Sequence, residues 1–206
     1  MRHVQHRQAD AREQTGRNIL DAAERLLGRY GYRKMTVDDL AREAGIGKGT
    51  VYLSFPSKRD VVLATVDRIV DAVCDSMRET AATGAPPPQQ LRDMLLARVL
   101  IRFDRVAGYR ESLGDLLGNV RESLIARRTL HFRAEAAILA RTIARGQSAG
   151  IFIDRRPALL AGALVRGTND FLPYSLSPAE LGKRRDLARA AGEVIDLLVD
   201  GLRLSL

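Results

Sequence analysis

The chain has one cysteine, three histidines and no run of twenty uncharged apolar residues. A lone Cys74 excludes an intramolecular disulfide, and His3, His6 and His131 form neither an HExxH pair nor a Cys/His ligand spacing, so neither metal nor cofactor is expected. Without a spanning segment, and with an N-terminus (MRHVQHRQADAREQTGR) that lacks the apolar stretch of a signal peptide, the expectation is a cytoplasmic protein with no membrane partner. Also missing are a nucleophile–base pair, paired carboxylates and a phosphate-cradling glycine loop, so no catalytic residue is assigned and an all-helical enzyme is the weakest reading. No stretch alternates with period two over a useful length, which removes strands and predicts an all-α protein of about nine helices.

What is present is basic charge and helical periodicity. The 206 residues are 46% hydrophobic, enough for a sizeable core, and carry a net charge of +8, which makes nucleic acid or an anionic surface a plausible partner. Residues 1–60 hold twelve Lys/Arg against eight Asp/Glu, so the basic excess is densest there. The polar start, with Arg2, Arg7 and Arg12 and no apolar face, reads as a disordered arm, either a solvated tail or a segment that reaches into a DNA groove.

The densest local signal is residues 36–58, TVDDLAREAGIGKGTVYLSFPSK. Thr36 and Asp39 make a capping box, and Val37, Leu40, Ala41 and Ala44 share a face of the helix it opens. Gly45 suits the left-handed position that ends a helix, Ile46 plugs the turn, and Gly47-Lys48-Gly49-Thr50-Val51-Tyr52 starts a second short helix. Pro56 stops that helix, and Ser57 with Asp60 caps a third. Two short helices in this order form a helix-turn-helix. Upstream, Ile19, Ala22, Ala23, Leu26, Leu27 and Tyr30 recur in steps of three and four on a first helix over 15–30, which Gly31 ends.

These residues resemble the TetR family of bacterial transcriptional regulators, whose DNA-binding domain carries a pattern like T-x-x-x-[IL]-A-x-x-A-G-[VI]-[SG]-x-G-x-[LV]-Y-x-[HY]-F-x-S-K. Ser54 departs from the usual His or Tyr, removing one phosphate contact, and Gly47 departs from the usual Ser, weakening the second helix's cap. The resemblance implies a three-helix DNA-binding domain over 13–73, with the motif at about 36–55, and a C-terminal ligand-binding and dimerisation domain over 74–206. It implies that Lys48 and Thr50 enter the major groove, that Gly49 permits close approach, that Tyr52 and Lys58 hold phosphates, and that Thr36 belongs to the same interface. Taken singly, Tyr52 reads equally as a core residue and the lysines as solvated.

Beyond the motif, helices are expected over 57–80, 89–107, 109–127 and 129–147, with a break at Thr83-Gly84-Ala85-Pro86-Pro87-Pro88. Pro157 opens a segment rich in small and apolar residues, and Ser177-Pro178-Ala179-Glu180 reads as a further capping box. The apolar stripes over 158–171 and 180–202 have no evident place within the chain, so the last two helices are expected to form a homodimer interface. Arg102 and Arg141 fall inside apolar arcs, and a buried arginine needs an anion: a protein carboxylate (Asp93, Glu111 or Glu135) or a ligand. Tyr109 and His131, with Phe132, either line a pocket beside them or are satisfied core residues. Cys74 sits on an apolar stripe as a small hydrophobe, with a redox role left open. The function expected is a dimeric repressor on double-stranded operator DNA, released by an unknown small molecule. The alternative is a DNA-binding or nucleoid-like protein with no ligand.

Overall fold

The computed structural model describes the backbone of residues 2–175 and 180–204 and the side chains of residues 10–109, 114–175 and 180–204. Among the described residues eight α-helices follow one another: α1 (Arg2–Lys34), α2 (Val37–Ala44), α3 (Lys48–Ser54), α4 (Lys58–Ala81), α5 (Pro87–Val106), α6 (Leu113–Ser148), α7 (Pro157–Gly167) and α8 (Arg184–Asp200). A 3-10 turn (Ala107–Ser112) precedes α6 and another (Asn169–Phe171) follows α7. Among the described residues the sole β pairing is the single bridge Phe152–Arg203.

The chain divides into two compact units, residues 1–68 with 108–124, and residues 69–107 with 125–206. In the first unit α1, α2 and α3 pack together over Ile19, Ala22, Ala23, Leu26, Leu27, Leu40, Ala41 and Val51, all buried. Each leucine, isoleucine or valine fully removed from water in this way contributes about 1.5–3 kcal/mol, and each alanine less. Glu43 bridges α2 to α1 by accepting from Arg25 (2.6 Å) and Arg29 (3.1 Å). Arg68 ties α4 to α1 through Asp21 (2.5 Å) and Glu24 (2.6 Å). Met35, Val61, Val62 and Leu63 complete this core.

In the second unit α8 lies on α5. It buries Leu187, Ala191, Ile195 and Val199, while α5 buries Leu91, Met94, Leu95 and Val99. Arg92 of α5 reaches Asp196 (2.5 Å) and Asp200 (3.0 Å) along the edge of that contact. The α8 stripe therefore does have a partner inside the chain. What α8 leaves exposed is Leu197, and α7 leaves Leu159, with Ala158 and Ala163 beside it.

Three expectations change. The N-terminal segment is the start of α1 and not a disordered arm: residues 5–14 are nearly all good helix formers, with no Gly or Pro before Gly16, and Glu13 pairs with Arg17 one turn on (2.6 Å). The helices expected over 109–127 and 129–147 are one helix, α6, because no breaker separates Arg127 from Thr129, which leaves eight α-helices among the described residues, close to the nine or so expected. The last helix starts at Arg184, just after the left-handed Gly182 (φ 54°). The capping box placed at 177–180 lies largely outside the described residues.

Candidate nucleic-acid interface

The turn between α2 and α3 is held by main-chain geometry. Thr36 Oγ1 accepts the Asp39 N–H (3.1 Å), and Asp39 Oδ2 accepts the Thr36 N–H (3.0 Å) and hydroxyl (2.7 Å), so both halves of the capping box are made. Those hydrogen bonds from Thr36, outweighing slight desolvation, hold the Asp39 carboxyl below its ordinary value. Gly45 closes α2 at φ 68°, ψ 32°, a left-handed conformation in which a β-carbon is strained. Its N–H donates to Arg42 O (3.2 Å) and that of Ile46 to Ala41 O (3.0 Å), and α3 begins three residues after the turn glycine.

Helix α3 presents an outward face because Val51 is its one buried residue. Lys48, Gly49, Tyr52 and Ser54 are exposed, Thr50 half-buried, and Leu53 is 89% exposed. Gly47 caps the helix without a side-chain hydrogen bond, leaving its first N–H groups available to an anion. The Ser54 hydroxyl, where the family pattern carries His or Tyr, turns back to Thr50 O (3.3 Å). Lys48 donates to Asp38 of α2 (3.0 Å), and that hydrogen bond and charge raise its pKa, so the ammonium stays protonated. Sequence reading missed this partner. The pair is exposed and hence weak, so the ammonium can leave Asp38 for a stronger acceptor.

Lys58 sits at the first position of α4, as expected, but its ammonium faces inward. It donates to Tyr32 O (2.9 Å) and Met35 O (2.9 Å) and lies 4.3 Å from the centre of the Tyr32 ring. Free carbonyls at the end of a helix draw a cation. Burial pushes the Lys58 pKa down, against a smaller opposing pull from Asp115. Ser57 caps α4 by accepting the Asp60 N–H (3.2 Å).

In the second unit Arg102 is buried, and its anion is Glu135, one of the three carboxylates considered. Arg141 is exposed, which corrects its placement on a buried face: the continuous α6 turns that position to solvent. His131 is half-buried in the second unit, whereas Tyr109 is buried in the first. The residue that periodicity missed is Arg98, one helical turn before Arg102 and wholly buried. Its Nε donates to Glu135 Oε2 (2.5 Å) and its Nη1 to Thr168 Oγ1 (3.0 Å), while Arg102 Nη1 donates to Arg98 O (2.9 Å) and Nη2 to Glu135 Oε1. Among the described residues no cluster of three metal-ligating side chains occurs, and no helix is long and apolar enough to cross a membrane.

The sequence profile of bacterial regulatory proteins of the tetR family matches residues 19–65, the stretch that builds α1 to α3 and the start of α4. Residues 19–65 are thus a segment of the TetR-family type. Among TetR-family relatives, the HTH-type transcriptional regulator EthR of Mycolicibacterium smegmatis is 39% identical over 72 residues, which cover 35% of this chain and 33% of that protein. The chain thus spans a third of the length of that relative. The fatty acid metabolism regulator protein of Bacillus subtilis is 23% identical over 187 residues, covering 89% of this chain and 93% of its own. A structure solved for the molecular basis of control of antibiotic production by bacterial hormones superposes with a TM-score of 0.67 at 27% identity, over 93% of this chain and 98% of that one. The likeness thus extends beyond the DNA-binding motif to the whole TetR fold.

Proposed function

We propose that this protein is a ligand-responsive, DNA-binding transcriptional regulator of the TetR family, a repressor that leaves its operator when a small molecule binds the second unit. No catalytic role is assigned to any residue. The observation that carries the reading is α3: a seven-residue helix buried on one side chain, presenting Lys48, Gly49, Tyr52 and Leu53 to solvent, with Thr50 half-buried among them, from a capped turn. In this reading Lys48 and Thr50 meet base edges, Gly49 lets the helix approach, Tyr52 donates to a phosphate, and Thr36 fixes the angle of α2 beneath them. Lys58 serves first as a staple between the start of α4 and the 32–35 segment, and the phosphate beside it is held by main-chain N–H groups at that helix start.

One short helix reads too few base pairs for selectivity, so the protein acts as a homodimer with two reading helices about 34 Å apart, or a multiple of it. The interface uses the faces of α7 and α8 that the chain itself leaves bare, centred on Leu159 (63% exposed) and Leu197 (76% exposed). A ligand shifts DNA affinity only through its preference for one spacing of the heads, and a tenfold preference supplies about 1.4 kcal/mol per site.

The test is a fluorescence titration of the full chain with operator and mixed duplex DNA at about 50 and 200 mM salt. A regulator loses roughly 10³–10⁵ in affinity over that range if six to ten phosphates are neutralised. Salt-independent binding, or none, rejects the proposal.

A further inference from the structure

The buried cluster in the second unit does not balance. Arg98 and Arg102 bring two positive charges to the single negative charge of Glu135, and all three side chains are within 5% of complete burial. Arg98 is the larger anomaly. Nε and Nη1 are engaged, but Nη2 is buried with no hydrogen-bond partner among the described residues, although a guanidinium presents both its N–H bonds there in a fixed plane. Buried donors are almost always satisfied, and a buried charge is normally paired.

Among the described residues Glu135 is the one carboxylate that pairs with either arginine. The centre of the Phe132 ring lies 5.3 Å from Arg98 Cζ and 5.8 Å from Arg128 Cζ, so one aromatic ring neighbours two guanidiniums. Tyr174 is held in its neutral form: burial raises its pKa more than Arg102 and Arg98 lower it, and its hydroxyl donates to Asn169 Oδ1 (3.2 Å). A groove of about 690 Å³ runs between the 128–140 stretch of α6 and α7; none of Arg98, Arg102 and Glu135 lines it, and Phe132 stands between it and the cluster. Phe132 belongs to both places, as does the 168–169 turn, whose Thr168 holds Arg98 and whose Asn169 lines the groove. The groove's walls include Ala136, Ala140, Leu159 and Val165, and Arg128, Arg133 and Arg166 stand on it against the single carboxylate of Asp170.

We infer that the second unit takes a monocarboxylate with an apolar body, its carboxylate accepting from Arg98 Nη2 and its body lying in the groove past Phe132. One negative charge brings the cluster to neutrality, whereas a phosphate dianion reverses the imbalance. A carboxylate oxygen also makes a strong, charge-assisted acceptor for the one nitrogen left, Nη2. The inference rests on the regulator reading only for the ligand's consequence; binding itself depends on the second unit alone. The groove borders the bare face of α7 assigned to the dimer contact, so an occupant there bears directly on how two copies meet.

The test uses the full-length protein in carboxylate-free buffer, with octanoate as probe, octanol and octanamide as neutral mimics of the same body, and acetate and chloride as bare anions. Calorimetry and thermal melting are expected to show saturable binding of octanoate at least tenfold tighter than either neutral mimic and tighter than acetate or chloride. Arg98→Met leaves Arg102 and Glu135 as a neutral pair and loses at least tenfold in octanoate affinity, while Arg141→Gln, a change at an exposed position, binds like the parent. Should Arg98→Met fail to fold by circular dichroism, Arg98→Lys keeps the charge, removes the Nη2 donor and is expected to show the same tenfold loss. Equal binding of octanol, or octanoate affinity unchanged in the folded Arg98 variant, overturns the inference. Chloride competing as well as octanoate overturns the carboxylate assignment. None of these results touches the regulator reading, which stands or falls on the DNA titration.

Discussion

Glu135 is the carboxylate that both buried arginines share, and single residues of this kind are where the fold is most easily broken. Burial pushes its carboxyl up, but the charges and hydrogen bonds of Arg102 and Arg98 outweigh that and hold it below the usual carboxylate range. Removing the anion strands two buried cations, so Glu135→Gln is expected to cost about 3–5 kcal/mol, read from urea unfolding at pH 7. A carboxyl depressed in the folded state stabilises fully above its unfolded value of about 4.3, and that contribution fades as the pH falls through the folded value. The parent protein is therefore expected to lose stability on acidification below about pH 4 more steeply than Glu135→Gln does, and parallel pH profiles of the two urea midpoints contradict this. On α3, Lys48→Ala is expected to lose about 1–3 kcal/mol per half-site on the operator and much less on random duplex, if the ammonium exchanges Asp38 for a guanine edge. Tyr52→Phe weakens both DNAs alike, and anisotropy titrations with the two duplexes distinguish these patterns.

At the scale of elements, the parts of the sequence with local chemistry were the legible ones. The Thr36–Asp39 box, the left-handed Gly45 and the Ser57 cap stand where their residue types put them, because caps and turns are decided within four residues, whereas Pro87 and Pro88, read as part of a break, open α5, where a first turn needs no N–H from them. The long helices were less legible, since nothing in a sequence marks the absence of a break: α6 runs 36 residues past an apolar pattern that shifts face near Thr129. That shift of face falls within one continuous helix. Arg98 was missed although it lies on the same face as Arg102, four residues earlier, because a periodicity search scores charged residues as interruptions. Gly45 offers a sharp check on the turn. A β-carbon there meets no atom within 4 Å, so the cost of Gly45→Ala is conformational alone, about 1–2 kcal/mol, and thermal melting of the parent and variant should show it.

For the whole molecule, the all-helical fold followed from periodicity, whereas the packing of α8 did not. Its apolar stripe reads as a free interface until α5 is seen to cover Leu187, Ala191, Ile195 and Val199. The residues bare after that packing are the better guide to assembly. Leu159→Asp and Leu197→Asp together are expected to give a folded monomer with much weaker operator binding, whereas Leu198, whose side chain reaches within 2.9 Å of where a Gly167 β-carbon stands, is half-buried already and its replacement should chiefly destabilise the chain. Sedimentation velocity decides between them: a dimer that persists in the double variant rejects this interface.

The single cysteine gives the protein an internal clock. Cys74 is 3% exposed on α4, and burial, reinforced by Glu135, pushes its thiol pKa up, so a thiol-specific reagent meets neither an accessible sulfur nor a thiolate until the surrounding helices part. Its labelling rate in the native protein, compared with that of the unfolded chain, gives the free energy of that opening with no engineered probe.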